Sequence, residues 1–312
     1  MAITRTTILG LAASLFIGFG QGHAAETYYV DPNSSAAAWV RQHPDDPRAQ
    51  AIAARIARVP AARWFGDWNA DIGAAVAKFV DAAAAAQRVP MLVAYDIPDR
   101  DCGGASTGGA TDADTYRHWI DAFARGVGAK PAIVIVEPDA LAQAECRHSR
   151  EAGEARLGLL HYALSSLRRN APGAKVYLDG GNAHWVPAAE MARRMEAAGI
   201  REARGFALNV SNFHPTGEGV AYAAAINAAL AQGYGFTKAV VIDTSRNGNG
   251  STGQWCNPPG ARLGETPVAQ SARLLLVWVK GPGTSDGPCG VGPSLRAGTF
   301  SPDLAIRLIE GR

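Results

Sequence analysis

The sequence has little of the positive charge that a nucleic-acid-binding surface needs. Its 30 Lys and Arg nearly balance its 28 Asp and Glu, the formal net charge is +2, and no cluster of Lys and Arg stands out. A basic patch or stripe is the usual electrostatic footprint of a nucleic-acid-binding protein. We therefore expect no nucleic-acid partner.

Motifs for metals and nucleotides are also missing. The chain has seven His and four Cys. No two of these Cys form a CxxC pair, which argues against a structural zinc site. Neither a P-loop nor an HExxH motif occurs in the sequence.

No apolar run is long enough to span a membrane, and the run that comes nearest to this length lies at the N-terminus. Arg5 precedes an apolar stretch over residues 8–19, and the small residues of the segment 22–25 follow it. This stretch is too short and too rich in Gly for a comfortable membrane span. A buried N-terminal helix or a membrane anchor is the alternative. The pattern predicts a signal peptide over residues 1–25, a secreted or periplasmic protein, and no membrane span after cleavage.

The cysteine count agrees with export. An even number of Cys in an oxidising compartment favours disulfides. Four Cys allow three connectivities, and composition does not choose among them. The four are Cys102, Cys146, Cys256 and Cys289.

No repeat of fixed period and no linker rich in Ser, Pro or Thr divides the chain, so we expect one domain over residues 26–312. Short apolar runs alternate with amphipathic stretches, which predicts a parallel sheet with helices outside it. About seven such units favour a barrel over an open sheet. The predicted strands are 62–65, 91–95, 133–136, 175–178, 206–210, 239–242 and 274–279, and the predicted helices are 114–127, 151–169, 188–198, 219–231 and one from about 70 to 86.

Acidic residues follow the carboxyl ends of several predicted strands. In parallel α/β folds the functional groups gather at that face. A single Asp there is often a helix cap or a turn residue, but the whole set is poorly explained in that way. The set comprises Asp96, Asp99, Asp101, Glu137, Asp139, Asp179, Asp243 and Asp286.

Several carboxylates with few His allow two kinds of chemistry. Glycoside hydrolysis needs one acid to protonate the leaving oxygen and a second group to activate water or attack the sugar. Asp and Glu also hold Mg²⁺ in phosphoryl transfer. The absence of a P-loop favours hydrolysis, although composition alone leaves both readings open.

Two long motifs distinguish these readings. The segment 93–109, VAYDIPDRDCGGASTGG, and the segment 133–141, IVIVEPDAL, resemble the two signatures of glycoside hydrolase family 6. Further matches follow in the family's order and cover nearly the whole mature chain. They are YLDGG at 177–181, NVSN at 209–212, VIDTSRNGNG at 241–250, WCNP at 255–258 and WVK at 278–280.

The resemblance implies a distorted, roughly seven-stranded parallel β/α barrel with an open active-site cleft at the carboxyl ends of its strands. It implies hydrolysis of β-1,4-glucosidic bonds with inversion, without a metal or a cofactor. Asp139 matches the general acid, whose pKa must be raised for it to stay protonated near neutral pH. Asp101 matches the aspartate that helps to keep Asp139 protonated and stabilises positive charge.

The resemblance leaves two candidates for the base. Asp286 matches the family's candidate base, and Lys280 and Arg246 are expected to pair with it. Such pairing favours ionisation but lowers basicity. In the second arrangement, water is activated through another water held near Ser106 and Asp101.

The same resemblance assigns further residues to the cleft. Tyr95 matches a tyrosine that crowds the sugar at the cleavage point. Tryptophans bind sugars by covering the apolar face of the ring. The expected substrate-binding residues are Trp64, Asp179, Trp185, Asn212, Arg246, Trp255 and Lys280. Trp39, Trp68, Trp119 and Trp278 match no cleft position, and Trp119 is expected in the core.

The resemblance also pairs Cys102 with Cys146 and Cys256 with Cys289. Two positions depart from the family's pattern: Asn182 replaces a frequent His, and His184 replaces a small residue.

Short loops after Cys102 and between Cys256 and Cys289 resemble those of endoglucanases, so we expect an open cleft and cleavage inside the chain. The expected partner is a β-1,4-glucan such as cellulose or cello-oligosaccharides, with mixed-linkage glucan as a further candidate, and the protein is expected to be a monomer. The alternatives are a cellobiohydrolase of the same family and an inactive glucan-binding protein.

Overall fold

The structure is a computed structural model that describes Met1, residues 27–145 and residues 149–312. The predicted signal peptide, apart from Met1, lies outside the described residues. Cys146 lies outside them as well, and with it one half of the predicted Cys102–Cys146 bridge. The predicted Cys256–Cys289 bridge is present.

A curled sheet of mostly parallel strands forms the centre of the fold, as the strand–helix alternation predicted. The spatial order is β1-β2-β3-β4-β5-β6-β8-β7, with every neighbouring pair parallel except β8 and β7. The strands are β1 Arg63–Phe65, β2 Met91–Ala94, β3 Ala132–Val136, β4 Ala174–Asp179, β5 Gly205–Leu208, β6 Ala239–Asp243, β7 Val268–Ser271 and β8 Leu274–Val277.

The seven predicted strands are all present, and two hydrogen bonds bring the first near the last parallel strand. The N–H of Ala62 donates to the carbonyl of Trp278 at 2.8 Å. The indole N–H of Trp64 donates to the carbonyl of Val279, also at 2.8 Å. These contacts curl the sheet into a distorted barrel with β1 beside the end of β8.

Sequence reasoning missed the antiparallel strand β7. All four residues of β7 are exposed, so the strand carries no apolar pattern that would have revealed it. It lies outside β8, at the edge of the sheet, and contributes nothing to the barrel interior.

Helices cover the outside of the sheet. Several begin at side-chain caps: Asp71, Asp112 and Ser149 each accept a hydrogen bond from the backbone N–H three residues on, which satisfies a free donor of the first turn. The helices are α1 Ser35–Gln42, α2 Ala49–Ile52, α3 Ile72–Ala85, α4 Ala113–Val127, α5 Arg150–Asn170, α6 Ala188–Ala197, α7 Thr216–Tyr234 and α8 Pro302–Glu310. None of the helices in the described part of the chain is long and apolar enough to cross a membrane.

Both faces of the sheet are buried, and the sequences of its strands are therefore continuous apolar runs. On β2, Leu92 and Ala94 face the layer of helices. Met91 and Val93 face the barrel interior instead. Trp119 packs against the helix-side core, and its ring stacks on Phe123 with 5.5 Å between centroids, in agreement with its predicted place. With both faces filled, the free functional groups lie at the strand ends.

Candidate active site

A cleft of about 980 Å³ opens at the carboxyl ends of the strands. All but two of the predicted catalytic and substrate-binding residues line it. They are Trp64, Tyr95, Asp101, Ser106, Asp139, Trp185, Asn212, Trp255, Lys280 and Asp286. The two that do not line it are Asp179 and Arg246.

Asp139 stands just beyond β3, in a backbone conformation that its neighbours hold in place. Its φ is 71°, in the left-handed region that a non-glycine residue adopts only at a cost. Its N–H donates to Oδ1 of Asp179 at 3.0 Å, and its carbonyl accepts from the N–H of Gln143 at 2.8 Å. The turn therefore directs the Asp139 side chain into the cleft.

The surroundings of Asp139 favour its protonated form. Burial raises its pKa well above the ordinary value, and the negative charges of Asp179 and Asp101 raise it further, whereas Lys280 opposes them. Desolvation and neighbouring like charges both disfavour a second carboxylate. Asp139 is therefore suited to donate a proton near neutral pH.

Asp179 lies behind Asp139 and away from the cleft. It ends β4, is fully buried, and accepts hydrogen bonds from the N–H groups of Asp139 and Gly181 at 3.0 and 2.9 Å. Burial raises its pKa to about 7, against the opposing effect of these two bonds. The structure therefore does not place Asp179 where a sugar could touch it, which differs from its expected binding role.

The loop after β2 presents Asp101 to the cleft. Oδ2 of Asp101 accepts from the N–H of Ser106 at 2.7 Å. Arg100 is buried beneath the loop, where Nε donates to the Ser106 carbonyl at 2.8 Å and Nη1 donates to the Tyr95 carbonyl at 2.9 Å. Sequence reasoning gave Arg100 no role, yet it holds both ends of the segment that carries Asp101.

Tyr95 is packed between an aromatic ring and a cation. Its ring meets that of Trp64 edge-on at 5.0 Å, and the Arg100 guanidinium lies 4.7 Å from its centroid. Burial and the charges of Asp139 and Asp101 raise the pKa of the phenol. Tyr95 is therefore a neutral group beside both acids, and its expected role in crowding the sugar stays a prediction.

Asp286 is enclosed by cations, as its two expected partners predicted. Its Oδ2 lies 2.8 Å from Nη1 of Arg246, and its Oδ1 lies 3.2 Å from Nζ of Lys280. The N–H of Asn257 also donates to Oδ2 at 3.0 Å. Burial alone would raise the pKa of Asp286, but Arg246 and Lys280 bring it below the usual value. Arg246 is buried under Asp286 and does not face the cleft.

Two further buried carboxyl groups support the loops that border the cleft, and neither was assigned a role from the sequence. Glu137 accepts from the N–H groups of Asp96 and Ile97 and from the hydroxyl of Tyr116, all within 3.1 Å. Burial raises the pKa of Glu137 to about 8. These hydrogen bonds attach the segment that follows β2 to the end of β3.

Asp243 has the same function at the end of β6. Its carboxyl group accepts from the N–H groups of Ser211, Ser245, Val279 and Lys280 at 2.9 to 3.2 Å. It thereby joins the segments that follow β5, β6 and β8. Both Glu137 and Asp243 were visible as strand-end acids, but their bonds run sideways to neighbouring loops rather than into the cleft.

Aromatic side chains line the cleft at several points. Trp185 and Trp255 are 43% and 57% exposed, while Trp64 is half-buried. Trp68, which matched no cleft position in the sequence, also lines the cleft and is 54% exposed. Its position in the loop after β1 was the signal that would have found it. These rings offer open, flat surfaces for sugar rings.

Three further residues singled out in the sequence are Asn212, Asn182 and His184. Asn212 is buried at the cleft wall, where its Nδ2 donates to the carbonyl of Val210 at 2.9 Å. The departures Asn182 and His184 are joined by a 3.0 Å bond from the His184 N–H to Asn182 Oδ1, and neither lines the cleft. They therefore do not alter the surface around Asp139.

A model of the family described as glycosyl hydrolases family 6 matches residues 22–311. Endoglucanase 1 of Streptomyces halstedii is 46% identical over 98% of this chain and 98% of its own length. Endoglucanase A of Thermobispora bispora is 42% identical over 97% of this chain and 66% of its own length. The structure of the endoglucanase Cel6 from Mycobacterium tuberculosis, in complex with methyl-cellobiosyl-4-deoxy-4-thio-β-D-cellobioside, is 40% identical with a TM-score of 0.84, covering 92% of this chain and 98% of that chain. The chain therefore belongs to glycosyl hydrolases family 6 and is a glycoside hydrolase.

Proposed function

We propose that this protein is a secreted endo-β-1,4-glucanase that hydrolyses internal bonds of cellulose-like glucans with inversion, with Asp139 as the general acid. The observation that carries the proposal is the place of Asp139: it lines a cleft at the strand ends, and burial and two nearby acids raise its pKa. Glycosidases need such a protonated carboxyl group beside the scissile oxygen.

In the proposed reaction, Asp139 transfers its proton to the glycosidic oxygen as the bond from that oxygen to the anomeric carbon breaks. Positive charge develops on the sugar ring and its oxygen, and the negative charge of Asp101 stabilises it. Water attacks the anomeric carbon from the opposite face, which inverts the configuration. The proton lost by this water passes to a base in the cleft.

The surroundings of Asp286 favour the second of the two routes for that proton. Its carboxylate already accepts bonds from Arg246, Lys280 and Asn257, and its pKa is depressed, so it is a weak base. Asp101 and Ser106 lie together at the cleft with one bond between them. In this proposal, the attacking water passes its proton to a second water held at Asp101 and Ser106, and the Asp101 carboxylate accepts the proton from that second water. Asp286 orders Lys280 in the cleft wall.

The shape of the cleft supports cleavage inside a chain. Trp185 and Trp255 are both open to solvent, which suits a long polymer that enters from the side. The relatives at 46% and 42% identity are both named endoglucanases. We therefore favour an endoglucanase over a cellobiohydrolase, and the pKa of Asp139 favours an active enzyme over an inactive glucan-binding protein.

Export is part of the proposal and rests on the sequence. The charged start, the apolar stretch and the small residues over 1–25 have the order of a secretory signal. The Cys256–Cys289 disulfide suits an oxidising compartment. Both support a secreted or periplasmic enzyme.

Viscosity and reducing ends, measured together on carboxymethyl cellulose, test the proposed function. We expect an early collapse of viscosity while few ends have formed, and loss of both signals in Asp139→Asn. Asp303→Asn changes an exposed acid on α8 that pairs with Arg48 and is the matched control. A slow fall in viscosity with soluble disaccharide as product would indicate a cellobiohydrolase. Binding without hydrolysis of this polymer and of mixed-linkage glucan would indicate a binding protein.

A further inference from the structure

Two histidines and a glutamate lie together outside the cleft. His184 comes from the loop between β4 and α6, whereas His214 and Glu218 stand on either side of the start of α7. One ligating atom from each lies within 4.8 Å of the other two. None of the three lines the cleft that contains Asp139.

The contacts within this cluster converge on one oxygen. Oε2 of Glu218 lies 2.8 Å from Nε2 of His184 and 3.6 Å from Nδ1 of His214. Ligands bound at about 2.0–2.2 Å to a tetrahedral ion are themselves about 3.4 Å apart. The two distances from Glu218 lie on either side of this value, and the two ring nitrogens lie within 4.8 Å of each other. A single ion can therefore contact all three atoms after small side-chain adjustments.

The backbone holds two of the three residues in position. The N–H of His214 donates to Oδ1 of Asn209, and the His214 carbonyl accepts from side-chain amides of Asn209 and Asn247 at 3.2 and 3.1 Å. Glu218 lies in the first turn of α7, where its N–H donates to the carbonyl of Pro215. The backbone of these two residues therefore needs little ordering before an ion binds.

We propose that His184, His214 and Glu218 bind a divalent transition-metal ion of the Zn²⁺ type. Two imidazoles and one carboxylate suit Zn²⁺, Ni²⁺ or Cu²⁺, whereas Mg²⁺ and Ca²⁺ prefer oxygen ligands. Three protein ligands leave at least one position on the ion for water. The site is separate from the catalytic acids and does not depend on the proposed function.

Binding requires one ring to turn. The two imidazoles now stack, with 4.2 Å between centroids and 23° between planes, and an ion must lie in the plane of each ring that binds it. His184 is free to turn because its side chain is 56% exposed, against 19% for His214. The bound ion then joins the loop after β4, which carries Trp185, to the start of α7.

Calorimetric titration of the untagged mature chain with ZnCl₂ tests the proposal. We expect one site per chain and at least tenfold weaker binding in His184→Asn and in Glu218→Gln. His161→Asn is the matched control. His161 also pairs with a glutamate, Glu202 at 3.6 Å, but among the described residues it belongs to no group of three potential metal ligands. It should bind Zn²⁺ as the wild type does.

Thermal unfolding separates binding from folding defects. Without metal, both variants should unfold near the wild-type temperature, because His184 and Glu218 are exposed. With Zn²⁺, only the wild type and the His161→Asn control should gain stability, and a chelator should reverse the gain. No saturable binding to the wild type, or equal binding by the His184 and Glu218 variants, would overturn the proposal. Equal binding of MgCl₂ would overturn the assigned ligand class.

Discussion

The backbone N–H of Asp139 donates a 3.0 Å hydrogen bond to Oδ1 of Asp179. One contact thus links the geometry of the proposed acid to its electrostatics. The bond fixes the turn that aims Asp139 into the cleft, and the same buried carboxyl group disfavours a negative charge on Asp139. We therefore propose that Asp179 is a positioning residue that acts through Asp139 rather than on the sugar.

Asp179→Asn should shift the pH profile of kcat/KM toward acid. The amide oxygen of Asn can still accept the Asp139 bond, but the negative charge is lost, so the pKa of Asp139 falls. Asp139 then loses its proton at lower pH, and the alkaline limb should move down by about one pH unit. The measurement is a pH profile on a soluble cello-oligosaccharide.

Asp303→Asn, on the surface of α8, provides the control for this shift and should leave the profile unchanged. A purely structural role for Asp179 would lower activity equally at every pH. An unmoved alkaline limb in Asp179→Asn would therefore contradict the electrostatic part of the account.

Asp286→Ala tests the identity of the base. Removal of this carboxylate leaves the buried Arg246 and the largely buried Lys280 without their partner. Loss of one member of a buried ion pair costs about 3–5 kcal/mol. We expect lower stability in urea and lower activity. We also expect no rescue by azide, because Asp286 is not the group that activates water.

A small anion can replace a missing base by attacking the anomeric carbon itself. Recovery of activity with azide, together with a glycosyl azide product, would assign Asp286 as the direct base. Lys280→Met, which removes one partner of Asp286 but no carboxylate, is the comparison and should not respond to azide.

Stability should fall as the pH rises through the range in which the buried carboxyl groups ionise. The folded-state pKa of Glu137 is about 8 against an ordinary value of 4.5, and those of Asp96 and Asp179 are about 7 against 3.8. A raised folded pKa means that the stabilisation is fully present below the unfolded pKa and is lost as pH rises through the folded one. The free energy of unfolding should therefore decrease between about pH 4 and 8.

Urea midpoints between pH 4 and 9 measure this effect. Glu137→Gln should be less stable than the wild type at every pH, because the amide nitrogen of Gln faces backbone donors. Its free energy of unfolding should depend less on pH, with a slope smaller by up to about 1.4 kcal/mol per pH unit. Equal pH slopes in the wild type and the variant would show that Glu137 is ionised throughout.

The sequence predicted the barrel because both faces of its strands are buried. Val93 and Val134 face opposite cores, yet each belongs to a continuous apolar run. Elements outside this pattern were not predicted. Strand β7 is exposed along its length, and α1, α2 and α8 lie outside the strand–helix alternation.

The sequence predicted which residues lie near the cleft, but it predicted less well which groups their side chains contact. Asp139 and Asp101 follow from the two long motifs, and both line the cleft. Asp179 also stands at a strand end, but the sequence does not tell whether such a side chain enters the cleft or accepts bonds from the next loop. That choice depends on neighbouring backbone N–H groups, such as that of Gly181, which only the folded chain brings together.

The most direct test of Asp139 as the general acid compares the activity of Asp139→Asn on two substrates with different leaving groups. General-acid catalysis contributes about 10²–10⁴-fold, so hydrolysis of a cello-oligosaccharide should fall by that factor. A dinitrophenyl cellobioside releases a stable phenolate that needs no proton, so the variant should cleave it at a rate near that of the wild type. Equal losses on both substrates in a folded variant would contradict the assignment of Asp139 as the general acid.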